Sequence, residues 1–282
     1  MSTSIAETGR TLRDVGGQVL LVGAGKMGGA LLDGWLSLGL DPCKLAVFEP
    51  QPSPEIAQHA IKGLRLNPDL ATVQAAAIVI AVKPQIAPEA IPALAGLAER
   101  AVVVSIMAGR TLGFLERLLG AETAAVRAMP NTPAAIGRGI TVAVANAKVT
   151  AAQRDLADRL LAATGSVEWV QDEGLLDAVT AVSGSGPAYV FLLAESLAHA
   201  GVKVGLPAEL AEKLARETVA GAGELLHRSR LDPGILRERV TSPGGTTAAA
   251  LDVLMGADGL GGLLERAVAA ATRRSRELDR NG

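Results

Sequence analysis

The apolar positions along this chain follow two different patterns, and the change comes near residue 170. Before it, short apolar runs recur between turn-forming segments: residues 18–22, 44–48, 76–82, 101–105, 124–127, 140–145 and 165–170. Runs of this length bounded by Gly, Pro and Asn read as strands, and those without polar alternation as strands buried on both faces. Helical spacing lies between some of them, first at Ala30, Leu31, Leu32, Trp35 and Leu36. Thr150 and Gln153 open a further helix with a capping-box pattern. From Asp172 onward the apolar residues keep helical spacing, and no strand pattern is clear. Leu206-Pro207 starts a long helix that runs to about Ser229, and Pro233 starts another as its first helical residue. A helix is expected over residues 247–255 and a last one over about 259–278.

The first strand settles what the first pattern is for. Residues 18–22 run into Gly23-Ala24-Gly25-Lys26-Met27-Gly28, which is G-x-G-x-x-G, and then into a helix. Strand, glycine turn and helix form the context that a dinucleotide-binding fingerprint requires. Gly23 makes the tight turn, Gly25 lets backbone approach a pyrophosphate, and Gly28 lets helix and strand pack closely. The next strand ends in Glu49, 21 positions past Gly28, close to the roughly 20 expected for a ribose-binding carboxylate. Such a group accepts from the 2′-hydroxyl of NAD and repels a 2′-phosphate. The nearest downstream cations, Lys62 and Arg65, are well removed, so the site leans to NADH over NADPH. The alternatives are a purely structural glycine turn and a solvated strand end.

In a doubly wound sheet, ligands sit off the carboxyl ends of the strands. The turns Ala81-Val82-Lys83-Pro84 and Ile106-Met107-Ala108-Gly109 should therefore face the cofactor. Lys83 either reaches a phosphate or ribose or is a surface lysine beside a proline turn. The loop over residues 129–133 is stiffened by two prolines and offers Asn131, which joins the cofactor set, and Thr132. The expected fold class is α/β: a mobile, disordered tail over residues 1–17, a Rossmann-type dinucleotide-binding domain over 18–170, and an all-α domain over 171–282.

Two segments interrupt the helical half. Ser183-Gly184-Ser185-Gly186-Pro187 breaks an apolar segment, as either a helix kink or a ligand-facing wall. Ser242-Pro243-Gly244-Gly245-Thr246-Thr247 places hydroxyls and glycines just before a helix. Free N–H groups and the macrodipole there favour an anion. The stretch reads as a small carboxylate site formed by Ser242, Gly244, Gly245, Thr246 and Thr247. Its alternative is an ordinary cap, with Thr246 or Thr247 serving the following helix.

Composition narrows the chemistry. Apolar residues make up 49% of the 282 positions and aromatics 2%, so Ala, Leu and Val must fill the core. A net charge of −2 gives no general attraction to nucleic acid or anionic membrane. The single cysteine, Cys43, excludes a disulfide framework within the chain and fits a cytoplasmic setting. Residues 1–17 lack the apolar core of a signal peptide, and the glycine-proline break argues against a membrane span in the helical half. The three histidines, His59, His199 and His227, lie in unrelated segments, and no cluster has metal spacing. The cofactor would carry the chemistry while the protein positions the partners. Ketone reduction usually wants a strong proton donor, whereas a cyclic imine can arrive protonated, so a hydroxyl-rich loop suits an imine.

These motifs together resemble the pyrroline-5-carboxylate reductase family, the last enzymes of proline synthesis, over about residues 19–278. The resemblance rests on residues 22–28, 81–84, 129–133, 177–189 and 201–207, and most specifically on Val240-Thr241-Ser242-Pro243-Gly244-Gly245-Thr246-Thr247. It implies reduction of 1-pyrroline-5-carboxylate to L-proline with NADPH or NADH, and a helical domain that interlocks with a second copy into a homodimer. Rings of dimers occur in such families. It further implies that residues 242–247 hold the substrate carboxylate, with Thr247 near the ring nitrogen, and that residues 81–84 and 106–108 line the cofactor. Members using NADPH tend to carry small hydroxyl or polar residues where this chain has Phe48-Glu49-Pro50. Two other readings stand beside it. A β-hydroxyacid dehydrogenase would need Lys203 or Lys213 as its catalytic lysine, and a nucleotide-sensing regulator would need no carboxylate loop.

Overall fold

The structure, a computed structural model, describes residues 11–280. Eight strands form one sheet: β1 (Gln18–Val22), β2 (Leu45–Phe48), β3 (Arg65–Leu66), β4 (Ala75–Ile80), β5 (Val102–Ser105), β6 (Ala125–Met129), β7 (Gly139–Ala145) and β8 (Gly165–Trp169). Their spatial order is β3-β2-β1-β4-β5-β6-β7-β8. All neighbours pair in parallel except β6 and β7, which are antiparallel. The helices of the sheet region are α1 (Lys26–Ser37), α2 (Pro54–Ile61), α3 (Ala87–Ala90), α4 (Ala95–Ala98), α5 (Leu112–Leu119), α6 (Ala151–Leu161) and α7 (Leu175–Val179). After them come α8 (Gly186–Lys203), α9 (Ala208–Arg228), α10 (Pro233–Arg239), α11 (Thr246–Leu254) and α12 (Leu260–Arg280).

Side chains alternate across each strand, so the apolar runs feed two cores. Val19 and Leu21 of β1 join Trp35 of α1 and Leu160 of α6 in one core, while Leu20 and Val22 join Ile91, Phe114 and Leu115 in the other. Trp35 is fully buried and donates its indole N–H to the Leu160 carbonyl at 2.8 Å. Gly34 is what lets α1 come this close, since a Cβ there would lie 2.7 Å from the Ala163 carbonyl. The expected capping box is present, with Thr150 accepting from the Gln153 N–H and Gln153 bonding back.

The expectation of a loose tail over residues 1–17 is corrected for the part that is described, residues 11–17; the rest lies outside the described residues. Leu12 and Val15 are each 1% exposed in the first core. Burying a leucine or valine contributes about 1.5–3 kcal/mol, enough for two apolar residues to hold a short polar segment down. Asp14 also pairs with Arg159, which holds its carboxyl below the usual aspartate range.

The chain separates into two compact units, one running through Gly184 and resuming at Thr272, the other Ser185–Ala271. The strands end at Trp169, where the patterning changes, but the first unit continues past the expected boundary at 170. Leu176 of α7 is fully buried in the second core, and Glu173 accepts the N–H of Leu112 at 2.8 Å. A π-helical turn, Thr180–Gly184, closes this unit and accounts for the first part of the break at residues 183–187. The last turns of α12 also belong to it through an ion pair. Arg127 of β6 meets Asp279 with two hydrogen bonds, 2.9 and 3.1 Å, and Glu173 with one of 3.0 Å.

In the second unit α8 and α9 form a hairpin, with Ala211 and Ala215 buried and Gly201 packed against Ala211. None of the residues of α8, α10 or α11 is buried. Phe191, Leu192, Leu193 and Leu197 stand exposed along α8, Phe191 by 68%. The stretch Leu175–Lys203 is long and apolar enough to cross a membrane by length and composition alone.

Candidate active site

The carboxyl ends of β1, β2 and β4 open on a cavity of about 870 Å³, within the ~300–1,000 Å³ range of small-molecule sites. Of the expected cofactor residues, Gly23, Ala24, Gly25, Lys26, Glu49, Ala81, Val82 and Lys83 line it. Gly23 has φ +90°, and a Cβ there would strike the Ala81–Val82 backbone at 2.8–2.9 Å. Gly28 lies under the turn, where a Cβ would meet the Gly23 carbonyl oxygen at 2.2 Å. Gly25 differs from both. A Cβ there would meet nothing within 4 Å, so its missing side chain leaves room on the cavity side. No side chain caps α1, whose N-cap is Gly25, so an uncapped helix end faces the same space. Helix, turn and open Gly25 together fit a pyrophosphate.

Glu49 is tied to this turn. Its Oε2 accepts the Ala24 N–H at 2.8 Å and its Oε1 the Gln51 N–H at 3.0 Å. Asn67, the one non-glycine residue with positive φ among the described residues, brackets the Glu49 backbone with two hydrogen bonds of 2.8 and 3.0 Å. The expected acid is thus held at the end of β2 against the glycine turn.

Met27, Gly28, Pro84, Met107, Ala108 and Asn131 are not part of the cavity lining. Gly28 and Met107 are buried beneath it, and Ala108 is exposed beyond it. Asn131 accepts the Ile140 N–H at 3.0 Å and donates to the Ser183 hydroxyl at 3.2 Å. Its amide is committed to joining the β6–β7 loop to the π-helical turn. Sequence reasoning missed Phe48, Gln51, Ser53, Glu55, His59 and Ile86, all of which line the cavity. Ser53-Pro54 is a helix-start signature that could have placed α2 here. Ser53 caps α2, accepting from the Ile56 N–H. Its hydroxyl also bonds the Glu55 carboxyl, whose pKa is thereby lowered. His59 lies 3.6 Å from Asp33.

In the second unit, residues 242–247 form a tight turn into α11. The Gly245 N–H donates to the Ser242 carbonyl at 3.0 Å, and Gly244 has φ +70°. A Cβ on Gly245 would lie 2.6 Å from the Ser242 hydroxyl, so a side chain there would make Ser242 turn away from its place in the turn. The helix begins at Thr246 with Gly245 as N-cap and without a capping side chain. Thr246 and Thr247 are therefore inside the first turn and cap nothing, which removes the ordinary-cap alternative. Ser242 and Gly244 are exposed, and Thr247 is half-buried. Lys203 and Lys213 are both exposed, and neither lines the cavity. Among the described residues no group of three or more His, Cys, Asp or Glu could hold a metal ion.

Comparison with known proteins bears on both regions. Residues 173–278 match a family model described as pyrroline-5-carboxylate reductase dimerisation. Residues 18–109 match one described as NADP oxidoreductase, coenzyme F420-dependent. The pyrroline-5-carboxylate reductase of Pseudomonas aeruginosa is 41% identical over 265 residues, covering 93% of this chain and 96% of that protein. The enzyme of Pisum sativum is 38% identical, covering 91% of this chain and 94% of its own. Among solved structures, the Coxiella burnetii pyrroline-5-carboxylate reductase superposes with a TM-score of 0.85 at 33% identity, over 93% of this chain and 98% of that one. The Plasmodium falciparum pyrroline carboxylate reductase, solved with NADP bound, does so with a TM-score of 0.79 at 29% identity, over 95% and 99%. With a fingerprint turn at one end of the match and the Ser-Pro-Gly-Gly-Thr-Thr turn near the other, the chain belongs to the pyrroline-5-carboxylate reductase family.

Proposed function

We propose that this chain reduces the C=N bond of 1-pyrroline-5-carboxylate to give L-proline, the last step of proline synthesis, with a nicotinamide cofactor. The reading is carried by identity of 41% across nearly the whole of both chains. Matched family models take in the glycine turn and the 242–247 turn alike. The bound dihydronicotinamide supplies hydride. The protein's part is to hold the pyrophosphate at Gly23–Gly28 and the ribose beside Glu49. Lys83 serves the same end, together with the backbone of Ala81 and Val82.

The substrate carboxylate is received by the free N–H groups of the first turn of α11 and the Ser242 and Thr246 hydroxyls, with Gly244 and Gly245 leaving room for its approach. There the positive helix end adds to charge-assisted hydrogen bonds. Thr247 places its hydroxyl by the ring nitrogen, orienting an imine that needs no strong acid. A carboxylate at the ribose favours NADH over NADPH. The exposed apolar face of α8 pairs with a second copy in a homodimer, which in turn can build a ring of dimers. The protein works in the cytoplasm, without nucleic acid or membrane. The test is consumption of NADH and NADPH with pyrroline-5-carboxylate, set against hydroxyacid/ketoacid pairs. Turnover with the imine alone supports the reading; turnover with the hydroxyacids in its place overturns it.

A further inference from the structure

We propose that Arg110 is a positioning residue for the cofactor, bracing the Lys83–Pro84 turn from the neighbouring loop. Arg110 follows β5, and Pro84 follows β4, the strand paired with it in parallel. Two crossover loops therefore stand side by side at the carboxyl edge of the sheet. Arg110 crosses between them. Its Nε and Nη2 both donate to the Pro84 carbonyl, at 3.1 and 2.8 Å. Two N–H groups of one charged donor converge on this oxygen, and hydrogen bonds from a charged donor are the stronger class. The guanidinium also lies 4.6 Å from the centroid of the Phe114 ring. That ring is 6% exposed, so the face on which Arg110 rests is itself fixed by the core.

The consequence falls on the residues just before Pro84. Ala81, Val82 and Lys83 line the cavity, while Pro84 does not. Within the turn, the Ile86 N–H bonds the Lys83 carbonyl at 3.1 Å. Arg110 ties the Pro84 end of this turn to the loop after β5. A turn held at its far end presents Lys83 in one place, and binding a cofactor then loses less to ordering. Arg110 itself touches none of the cavity. Its role is felt through Lys83, and it rests on the reading of the cavity as the cofactor site.

The experiment measures the NADH dissociation constant, by nicotinamide fluorescence, for wild type, R110M, R110K, K83M and the R110M/K83M double variant, with melting temperatures alongside. R110M should raise the dissociation constant by roughly tenfold, or ~1.4 kcal/mol. Its kcat at saturating cofactor should stay within about twofold, since the reacting atoms are untouched. R110K keeps one donor and the charge over Phe114 and should fall between the two. In the K83M background the R110M effect should shrink to under about threefold, because the group being positioned is gone. A merely structural arginine would lower the melting temperature with the same loss of affinity in both backgrounds, which overturns the proposal. So does an R110M dissociation constant within about twofold of wild type. Should R110M fail to fold, R110K decides: a rise of about twofold or more supports the brace, and a smaller one removes it. A wild type that binds neither NADH nor NADPH refutes the cofactor reading itself, and the brace with it.

Discussion

Glu49 and Ala24 are joined across the mouth of the cavity by one hydrogen bond, 2.8 Å from the carboxylate Oε2 to the backbone nitrogen. The acid expected to read the ribose is thus also an anchor of the glycine turn. Replacing it should have two effects. Glu49→Ser removes the charge that repels a 2′-phosphate, so the ratio of kcat/KM for NADPH over NADH should rise by about tenfold, ~1.4 kcal/mol, or more. It also unties Ala24, so the KM for NADH should rise as well. Steady-state kinetics with both cofactors check this. A wild type that already prefers NADPH tenfold or more would show that the Glu49 charge does not govern the choice.

Two glycines of the same turn should separate folding from binding. Gly25→Ala adds a methyl group into open space, so stability should change by less than about 0.5 kcal/mol while NADH affinity falls, because the methyl group occupies room needed by the phosphates. Gly28→Ala drives a Cβ to 2.2 Å from the Gly23 carbonyl, and both stability and affinity should drop. Thermal melts and fluorescence titration of the two variants distinguish the roles. Equal destabilisation by both would contradict them.

Arg127 is 4% exposed in its side chain, Asp279 15%. Asp279→Ala leaves a buried guanidinium with Glu173 as its remaining carboxylate partner. Loss of one member of a buried pair costs roughly 3–5 kcal/mol, so Asp279→Ala should lower the unfolding free energy by that order. Asp279→Asn, which keeps one acceptor, should cost less. Denaturant unfolding of the two variants provides the comparison.

For the turn before α11, Thr247→Ala keeps the backbone anion site and removes one hydroxyl. It should reduce kcat by about one to two decades, ~1.4–2.8 kcal/mol, with a small effect on NADH binding. Ser242→Ala should act mainly on the KM for pyrroline-5-carboxylate. Wild-type kcat/KM in both variants would leave the turn a structural feature only.

The exposed apolar row on α8 should be covered by a second copy. Light scattering at micromolar concentration should find a dimer, and Phe191→Asp should dissociate it by placing a charge in an apolar contact. A monomeric wild type would sink this expectation.

Much of the molecule is legible in its amino-acid sequence, and the reasons are local. A strand that must be buried on both faces has few ways to be written, so residues 18–22 and 102–105 announce themselves. Gly23, Gly25 and Gly28 are spaced by the needs of one turn. Asp232-Pro233 starts α10 because an acid that caps and a proline that lacks an N–H both belong at a helix start; Asp232 accepts the Gly234 N–H at 2.7 Å. Less legible is β3, two residues long, which carries too little pattern to stand out. The antiparallel direction of β7 is equally hidden, since strand direction leaves no mark on an apolar run.

What the sequence by itself determined were the features set by neighbours along the chain: strand and helix periods, the glycine turn, the caps and the family. The tertiary structure decided what depends on residues far apart in sequence. It packed Leu12 and Val15 into a core whose other members lie beyond residue 18. It tied Arg127 to Asp279, 152 positions away. It gave Asn131 to Ser183 and Ile140, and it added Gln51, Ser53 and His59 to the cavity wall. The physical reason is that periodicity and turn chemistry act over a few residues, whereas burial and ion pairing act through space, and only the folded chain brings those partners together.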